Sequence, residues 1–325
     1  MTRSINSPRG YRVWLWPAGP RPGRVGRWLG LQTARLLGLT LVVAVLGGLA
    51  FRDRLIFHPV AGPDRATPRN YSLNYEEFWL TTAAGDRVRV WRLPPPGGAP
   101  GRTALFFQGN SGNLSLILNH LTFLNSLGLN VLAVDYPGYG PSPGRPGEEA
   151  VYQSAEALWQ WAVRNGAAPE DLLIYGFSLG GGTAAWLARA HPPAALVLDS
   201  TFTRLRDVPG YGRPWLIPYL KLILGSAFDT RARLAEISGP LLVLHSPGDD
   251  VVPFALGREL FQAYQNNVKY FGLSHGGHMD FLLNLALYRE KLQALLAAAD
   301  RKNQVSADQP LHGRGLRGKD RPGRG

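Results

Sequence analysis

Ser178 is the residue whose surroundings most favour nucleophilic chemistry. It lies in the pattern "GFSLG", after the apolar run "LLIY" and before "LGGGTAAWLARAH", which is rich in Ala and Leu. A buried strand, a sharp turn and a helix in that order would expose the hydroxyl group of Ser178, and Gly176 and Gly180 would leave room for neighbouring chain. A glycine-rich chain also contains such patterns by chance, so whether Ser178 is a nucleophile depends on whether suitable partner residues follow it.

Two kinds of partner follow the serine, a carboxylate and a histidine. Asp249 and Asp250 come just beyond the apolar run "PLLVL", and "SHGGHMD" contains His275 and His278. We predict that Asp249 is the functional acid because it closes the tighter turn, whereas Asp250 faces solvent or supports the following helix. The order serine, acid, histidine, with separations of 71 and then 29 residues between Ser178, Asp249 and His278, leaves room for a lid and for one helix-strand unit. A fortuitous glycine-flanked serine would not be followed by such partners.

Backbone N–H groups near the serine would bind a developing negative charge. The N–H group of Leu179, at the start of the predicted helix, is expected to supply one hydrogen bond. The loop "QGNSGNLS" follows an earlier strand, and Gly109 there lets the chain turn its N–H groups inward. We therefore predict that Asn110 supplies the second hydrogen bond, the alternative being an ordinary Gly/Asn/Ser loop.

The remaining histidines predict neither a metal site nor a cofactor. The chain has no cysteine, and four further histidines show no ligand spacing to one another: His58, His120, His191 and His312. His245 lies on the apolar run before Asp249 and is interpreted as a packed or loop-supporting residue.

Short apolar runs alternate with amphipathic stretches, which predicts an α/β fold. The runs "FWLTT" and "RVRVWRL", separated by the turn residues "AAGD", predict a hairpin. Strand-like and helix-like segments then alternate, as in βαβ units around a mostly parallel sheet with helices on both faces. The predicted strands are "TALFFQ", "NVLAVDY", "DLLIYG", "ALVLDS", "PLLVLHS" and "KYFG", and the predicted helices cover 113–127, 148–165 and 179–191.

Charge and composition divide the chain into a main domain, residues 71–300, and two basic ends. Within the domain, the prolines and aromatic residues of 204–236 interrupt the alternation and predict a short lid over the carboxyl edge of the sheet. The net charge of +12 belongs to the ends, since 1–35 carries seven Arg without an acid and 301–325 carries seven basic and two acidic residues. Both ends are predicted to be disordered, and the neutral remainder gives no reason to expect a nucleic-acid partner.

Residues 36–52 are predicted to form a transmembrane anchor. The uncharged run "LLGLTLVVAVLGGLAF" would span about 24 Å as a helix, and the flanking Arg35 and Arg52 can reach the interface to make up the difference from a hydrocarbon thickness of roughly 30 Å. A signal peptide cleaved after Ala50 and a buried core helix are the alternatives. The excess of Arg before the run favours a cytoplasmic N-terminus and an external main domain.

These motifs resemble those of the α/β-hydrolase superfamily. Within it, the chain is similar to small membrane-anchored serine hydrolases related to serine aminopeptidases and to depalmitoylating thioesterases. The resemblance runs from "RLIFHP" at residues 54–59 to about residue 298, and the apolar segment before "LIFHP" matches as well. It rests on "QGNSGNLS", "VDYPGYGPSPGRP", "GFSLGGGTA", "STFTRLRDV", "HSPGDDVVP" and "GGHMD".

The resemblance implies a serine hydrolase that cleaves acyl esters or thioesters of small or lipid-like substrates without a cofactor. Ser178 would be the nucleophile, Asp249 the acid and His278 the base, because the final histidine motif of the family matches "GGHMD". A peptidase or amidase of the same fold and a non-catalytic, membrane-bound binding protein are the alternatives.

One position departs from the family pattern. The family has His-Gly-Asn where this chain has Gln108-Gly109-Asn110. The resemblance implies that the first side chain supports the oxyanion loop rather than the chemistry, so Gln108 is expected to preserve activity while changing its level or its substrate preference.

Overall fold

The structure describes most of the chain in two compact units. It is a computed structural model, and it describes residues 4–6, 12–14, 23–98, 101–266 and 268–307. The first unit is Met1–Phe51, and the second is Arg52–Gly325.

The first unit contains one long apolar helix. This helix is α1 (Arg24–Ala50). It follows two short antiparallel strands in the chain, β1 (Ser4–Asn6) and β2 (Arg12–Trp14). The stretch Gly26–Ala50 has a mean hydropathy of 1.9 and is long and apolar enough to cross a membrane.

Helix α1 begins earlier than the sequence pattern predicted. The start was expected at residue 36, with 1–35 disordered, whereas the chain is helical from Arg24 onward. No proline occurs between Pro22 and Pro59, and arginine is a good helix former, so nothing within that stretch ends the helix. Much of the remaining predicted N-terminal segment lies outside the described residues.

The second unit is built on an eight-stranded sheet, which confirms the predicted α/β fold. In chain order the strands are β3 (His58–Pro59), β4 (Glu76–Thr81), β5 (Arg87–Leu93), β6 (Thr103–Phe107), β7 (Ser111–Gly112), β8 (Asn130–Val134), β9 (Leu172–Phe177), β10 (Ala195–Asp199), β11 (Leu241–His245) and β12 (Lys269–Leu273). The sheet order is β12-β11-β10-β9-β6-β8-β5-β4, and β3 pairs separately with β7. Strands β12 to β8 in that order are mutually parallel, and β5 is antiparallel to both β8 and β4.

Continuous apolar runs explain the centre of this sheet. Every residue of β6, β9, β10 and β11 is buried. Alternate side chains face opposite layers, since Leu105 and Phe107 join one hydrophobic cluster and Ala104 and Phe106 join the other. Parallel strands covered on both faces have this pattern, and the predicted strands and hairpin are all present.

Helices cover both faces of the sheet. They are α2 (Arg52–Ile56), α3 (Leu118–Ser126), α4 (Glu148–Arg164), α5 (Gly180–Ala190), α6 (Asp207–Gly210), α7 (Ile217–Leu224), α8 (Thr230–Leu234), α9 (Phe254–Ala263) and α10 (Leu285–Ala307). Buried residues of α4, α5 and α9 belong to the first cluster, and those of α3 and α10 belong to the second. Helices α6 to α8 occupy the segment 204–236, whose role as a lid stays a prediction.

The second unit extends beyond the predicted domain bounds of 71 and 300. Ile56 and Phe57 are buried in its core, and β3 pairs with the loop after β6. The pairing of β3 with β7 involves two residues of each strand, which is too short to produce a periodic pattern in the sequence. At the other end α10 continues to Ala307, and residues 308–325 of the predicted basic tail lie outside the described part of the chain.

Candidate active site

Ser178 lies on the sharp turn between β9 and α5. Its φ of +53° is uncommon for a residue other than glycine. The flanking glycines permit the turn, because a Cβ at Gly176 would lie 2.3 Å from the carbonyl oxygen of Gly180, and one at Gly180 would lie 2.0 Å from that of Phe107. The N–H group of Ser178 donates to the carbonyl of Asp199, at 2.9 Å, which ties the turn to β10. The turn therefore holds the serine at the carboxyl edge of the sheet.

The structure brings the predicted histidine and acid to this serine. Nε2 of His278 lies 2.9 Å from Oγ of Ser178, and its Nδ1 lies 2.8 Å from Oδ2 of Asp249. A carboxylate accepts hydrogen bonds, so Nδ1 carries the proton and Nε2 is free to accept one from the serine. This is the arrangement in which an imidazole removes a proton from a hydroxyl group.

The side chain of Asp249 is fully buried and makes several hydrogen bonds. Its Oδ1 accepts the N–H groups of Val251 and Val252, at 2.9 and 2.7 Å. Burial acts to raise the pKa of this carboxyl group, but the hydrogen bonds from His245 and His278 outweigh it and hold the pKa below its ordinary value. The carboxylate is therefore charged at neutral pH, as an orienting group for an imidazole has to be.

The neighbours of the acid and the histidine have other contacts. Asp250 is exposed, and its Oδ1 accepts the backbone N–H group of His278 at 3.2 Å. His275 is bracketed by Asn284, which accepts its N–H and donates to its carbonyl, both at 2.8 Å. Asp250 thus supports the loop of His278 rather than the following helix. Asn284 holds the backbone of His275 and not its ring.

Two N–H groups at the predicted positions point to an anion site. Gly109 passes directly beside the serine, because a Cβ there would lie 3.3 Å from Cβ of Ser178. Among the described residues, the N–H groups of Leu179 and Asn110 have no hydrogen-bond acceptor. Backbone N–H groups that are free of an intramolecular acceptor are available to stabilise an oxyanion.

The loop that carries Asn110 is fixed from a segment far earlier in the chain. The side-chain amide of Asn110 donates to the carbonyl of Ile56 at 2.9 Å, and its own carbonyl accepts the N–H of His58 at 2.8 Å. Tyr139 donates its hydroxyl to the same carbonyl at 2.6 Å. The sequence prediction did not include these supports, although the motif "RLIFHP" was a signal for them.

Gln108 lies beneath the same loop. Its Nε2 donates to Asp135 at 3.1 Å, and its backbone carbonyl accepts the hydroxyl of Tyr136 at 3.2 Å. Its Oε1 is buried and has no hydrogen-bond partner among the residues that the structure describes. Asp135 is also paired with the buried Arg89, which in turn pairs with Asp64. Gln108 thus links the loop to a buried ionic network.

The buried His120 lies close to the site, and its Nε2 makes no hydrogen bond within the described part of the chain, although it lies 3.9 Å from Oδ2 of Asp199. His120 stacks on Phe281 with ring centroids 3.9 Å apart and tilts against Phe177, which also contacts the ring of His278. Burial lowers the pKa of His120 to about 3, with a further contribution from His278. His120 therefore behaves as a neutral aromatic residue under the site.

Other features of the described residues do not point to a second chemistry. They contain no group of His, Asp and Glu suited to a metal ion. A cavity of about 340 Å³ is lined by Thr103, Asn130 and Trp161. It lies where β6 and β8 begin, at the edge of the sheet opposite Ser178.

Known proteins with similar sequences include hydrolases. Residues 105–222 match the family described as alpha/beta hydrolase fold. An uncharacterized protein of Mycobacterium tuberculosis is 34% identical over 259 residues, which cover 78% of this chain and 91% of that protein. Human alpha/beta hydrolase domain-containing protein 17B is 32% identical, over 68% of this chain and 73% of its own. The lysophosphatidylserine lipase ABHD12 of Danio rerio is 31% identical over 61% of each chain.

Solved structures share the architecture. An esterase of Pyrococcus furiosus superposes with a TM-score of 0.59 at 18% identity, and the match covers 76% of this chain and 98% of that chain. The predicted resemblance is confirmed at the level of family and fold.

Proposed function

The chain belongs to the α/β-hydrolase superfamily, and on that premise we propose that it is a membrane-anchored serine hydrolase that cleaves acyl ester or thioester bonds. The observation that carries the proposal is the unbroken contact from Oγ of Ser178 through the ring of His278 to Asp249, with distances of 2.9 and 2.8 Å. A serine merely placed in a turn has no need of a buried, charged carboxylate behind its histidine.

The proposed reaction passes through a covalent intermediate. His278 accepts the proton of Ser178 as Oγ attacks the acyl carbonyl carbon, and Asp249 stabilises the imidazolium ion that forms. The protonated His278 then gives its proton to the departing alcohol or thiol. Water attacks the acyl-enzyme by the reverse sequence and releases the carboxylic acid and free Ser178.

The N–H groups of Leu179 and Asn110 are proposed to hold the oxyanion of each tetrahedral intermediate. Their lack of acceptors in the described structure supports this role, since donors already paired would have to break a bond first. Gln108 then acts at one remove, through the loop whose position it helps to fix.

An acyl substrate is supported by the surface near the predicted lid and by two relatives. Trp215 and Leu222 are 75% and 58% exposed within the segment 204–236, so they present apolar surface to an acyl chain. The similar protein of Danio rerio is named a lipase, and the similar structure from Pyrococcus furiosus is named an esterase.

A substrate panel tests the bond type. We expect the purified protein to hydrolyse p-nitrophenyl esters and acyl thioesters, with little activity on p-nitroanilides and peptides of matched acyl group. Ser178→Ala is the background control for contaminating hydrolases. Preference for amides or peptides over every ester would replace the acyl-ester assignment with a peptidase or amidase.

Helix α1 is proposed to anchor the enzyme to the bilayer that contains its substrate. Tethering raises the local concentration of a membrane substrate without any new contact. We expect a chain that lacks residues 1–51 to keep its rate on short soluble esters and to lose most of its rate on long-chain acyl substrates in vesicles. Both proteins must be compared at equal concentrations of reactive serine, and equal vesicle rates would show that α1 has no part in substrate access.

The proposed orientation places the N-terminus in the cytoplasm and the hydrolase unit outside. Seven arginines occur in residues 1–35, and such an excess of positive charge favours retention of the N-terminus on the cytoplasmic side. The chain has no cysteine, so a single introduced one reports its own side of the membrane. In intact cells an impermeant maleimide should label Gln160→Cys and leave Ser4→Cys unlabelled, and the opposite pattern would reverse the orientation.

A further inference from the structure

His245 contacts the carboxylate that His278 uses, and the proposed reaction gives it no role. It is the last residue of β11, and its side chain is fully buried. Its Nε2 lies 2.9 Å from the carbonyl oxygen of Val252 and 3.4 Å from Oδ2 of Asp249. The same carboxylate oxygen therefore faces two imidazole rings.

The position of the proton on His245 follows from its partners. The carbonyl of Val252 can only accept a hydrogen bond, so Nε2 carries the hydrogen, donates it to that carbonyl and presents the same polar N–H group to Oδ2 of Asp249 at 3.4 Å. Nδ1 is buried without a partner among the described residues. It lies against Gly257, where a Cβ would be 2.1 Å from Nδ1, so the absence of a side chain at 257 makes room for the ring.

This contact completes the set of donors around Asp249. Oδ1 accepts the N–H groups of Val251 and Val252, and Oδ2 accepts that of His278 and lies 3.4 Å from Nε2 of His245. The ring of His245 also bridges the end of β11 to the carbonyl of Val252, at the far end of the turn that carries Asp249. Removing it would loosen the turn and leave more of the carboxylate's negative charge for His278.

We propose that His245 is a positioning residue that fixes the plane of the Asp249 carboxylate and, by sharing it, limits how strongly that carboxylate stabilises the protonated form of His278. The inference rests on the proposed function, because it gives His245 a role only if His278 acts as the base. The polar contacts of His245 are with Val252 and Asp249, so we assign it a role that acts through Asp249.

A pair of substitutions separates the hydrogen bond from simple packing. His245→Gln keeps an N–H donor near the place of Nε2, whereas His245→Leu fills similar space without a donor. In the full-length protein we expect His245→Leu to lower kcat about tenfold or more, as loss of a hydrogen bond to a charged group does, with KM nearly unchanged. His245→Gln should restore most of the loss.

The pH profile gives a readout that packing alone would not move. With one donor fewer on Asp249, the protonated form of His278 gains stability, so the acidic limb of kcat/KM should shift to higher pH in His245→Leu and return in His245→Gln. Other titratable groups near His245 and His278 keep their identity in all variants: Asp199 at the end of β10, His120 on α3, Asp250 and Asp280 in the adjoining loops, and Tyr288 on α10.

A double-mutant cycle locates the effect. In an Asp249→Ala background, His245→Leu should cost little further activity, because its partner is gone. Equal losses with and without Asp249, or an unshifted pH limb in a folded His245→Leu, would overturn the inference. If His245→Leu does not fold, His245→Gln against His245→Asn decides, since Asn cannot reach the carboxylate from the same backbone position and should behave as the donor-free variant.

The failure of this inference is distinguishable from failure of the proposed function. Labelling of wild-type protein by a fluorophosphonate reports the reactive serine independently of His245. If the wild type is labelled but the His245 variants have unchanged kcat and pH profiles, only the positioning role is overturned. If the folded wild type is not labelled, the proposed function itself fails, and the positioning role fails with it.

Discussion

Two buried carboxyl groups lie at the carboxyl edge of the sheet, and their surroundings differ in kind. Asp249, in the turn after β11, accepts the backbone N–H groups of Val251 and Val252 and the imidazole N–H group of His278. Asp199, at the end of β10, accepts the hydroxyl groups of Tyr175 and Tyr288, at 2.6 and 2.8 Å. The pKa of Asp249 is lowered despite burial, whereas burial raises the pKa of Asp199 and its hydroxyl donors only partly oppose this.

The difference shows that the donors and the depth of burial together set the charge of a carboxyl group, because Asp199 is the more deeply buried of the two and its hydroxyl donors only partly offset that burial. Amide and imidazole donors keep Asp249 ionised, so it can stabilise a positive charge on His278. Asp199 ties α10 to β9 through the two tyrosines and serves the fold. A reactive acid is thus recognised by its partners rather than by its place at the end of a strand.

Loss of charge at the two positions should have very different effects on turnover. We expect Asp249→Asn to lower kcat by about 10⁴-fold, because the imidazole loses its orienting charge and its correct tautomer. Asp199→Asn should keep activity within about tenfold, since the amide can still bond to both tyrosines. Steady-state rates normalised to folded protein measure this, and equal losses would remove the distinction between the two acids.

The two acids should also affect stability with opposite dependence on pH. Asp249 has a lowered pKa, so its contribution is present above the ordinary value of 3.8 and lost as the pH falls through the folded-state pKa. Asp249→Asn should therefore cost about 1–3 kcal/mol at pH 8 and less in acid. Denaturant unfolding of the variant and the wild type across pH measures the difference.

Asp199 gives the reverse slope. Its pKa is raised above 3.8, so the folded state holds a proton that the unfolded state releases, and stability falls as the pH rises through that window. Asp199→Asn removes this titration, so the free energy of unfolding of the variant should increase relative to that of the wild type as the pH rises from 4 to 8. A gain that is constant with pH would mean that Asp199 does not titrate in this window.

The tyrosine donors of Asp199 can be tested singly. Tyr288→Phe removes one hydrogen bond to the carboxyl group and should lower the free energy of unfolding by about 1 kcal/mol, with turnover unchanged. Tyr71→Phe is the matched control, because its hydroxyl bonds to Asn119 at the surface. If Tyr288→Phe lowers kcat while the free energy of unfolding stays nearly unchanged, Asp199 is coupled to the reaction.

The smallest effect is expected at Asp250, which follows the proposed catalytic acid Asp249 in sequence. Asp250→Asn keeps an acceptor for the N–H of His278 and should change kcat by less than about threefold, since exposed interactions contribute little. The comparison is made against Asp249→Asn in the same assay. A larger loss at Asp250 would show that the carboxylates exchange roles.

The sequence predicted the sheet and the neighbourhood of Ser178 because both depend on local patterns. Continuous apolar runs specify buried parallel strands, and glycines at 176 and 180 specify a close crossing of backbone. The order of Ser178, Asp249 and His278 then places the three at one edge, because parallel strands end at the same side.

Contacts between distant segments were beyond sequence reasoning. Asp199 and Asp249 both follow apolar runs, and only the structure shows that tyrosine hydroxyl groups bond to the first, whereas two backbone N–H groups and the imidazole of His278 bond to the second. The early start of the second unit depends on the pairing of β3 with β7, two residues each, which carries no periodic signal. The reach of His245 to Asp249 depends on the path of a four-residue turn.

Reaction of the full-length protein with a fluorophosphonate, with the modified residue located by mass spectrometry, tests the central claim most directly. We predict stoichiometric labelling of Ser178 that disappears in Ser178→Ala and persists in Ser200→Ala, a second buried serine at a strand end with a positive φ of +49°. A folded wild-type protein that stays unlabelled, or labelling that survives Ser178→Ala, would contradict the assignment of Ser178 as the activated nucleophile.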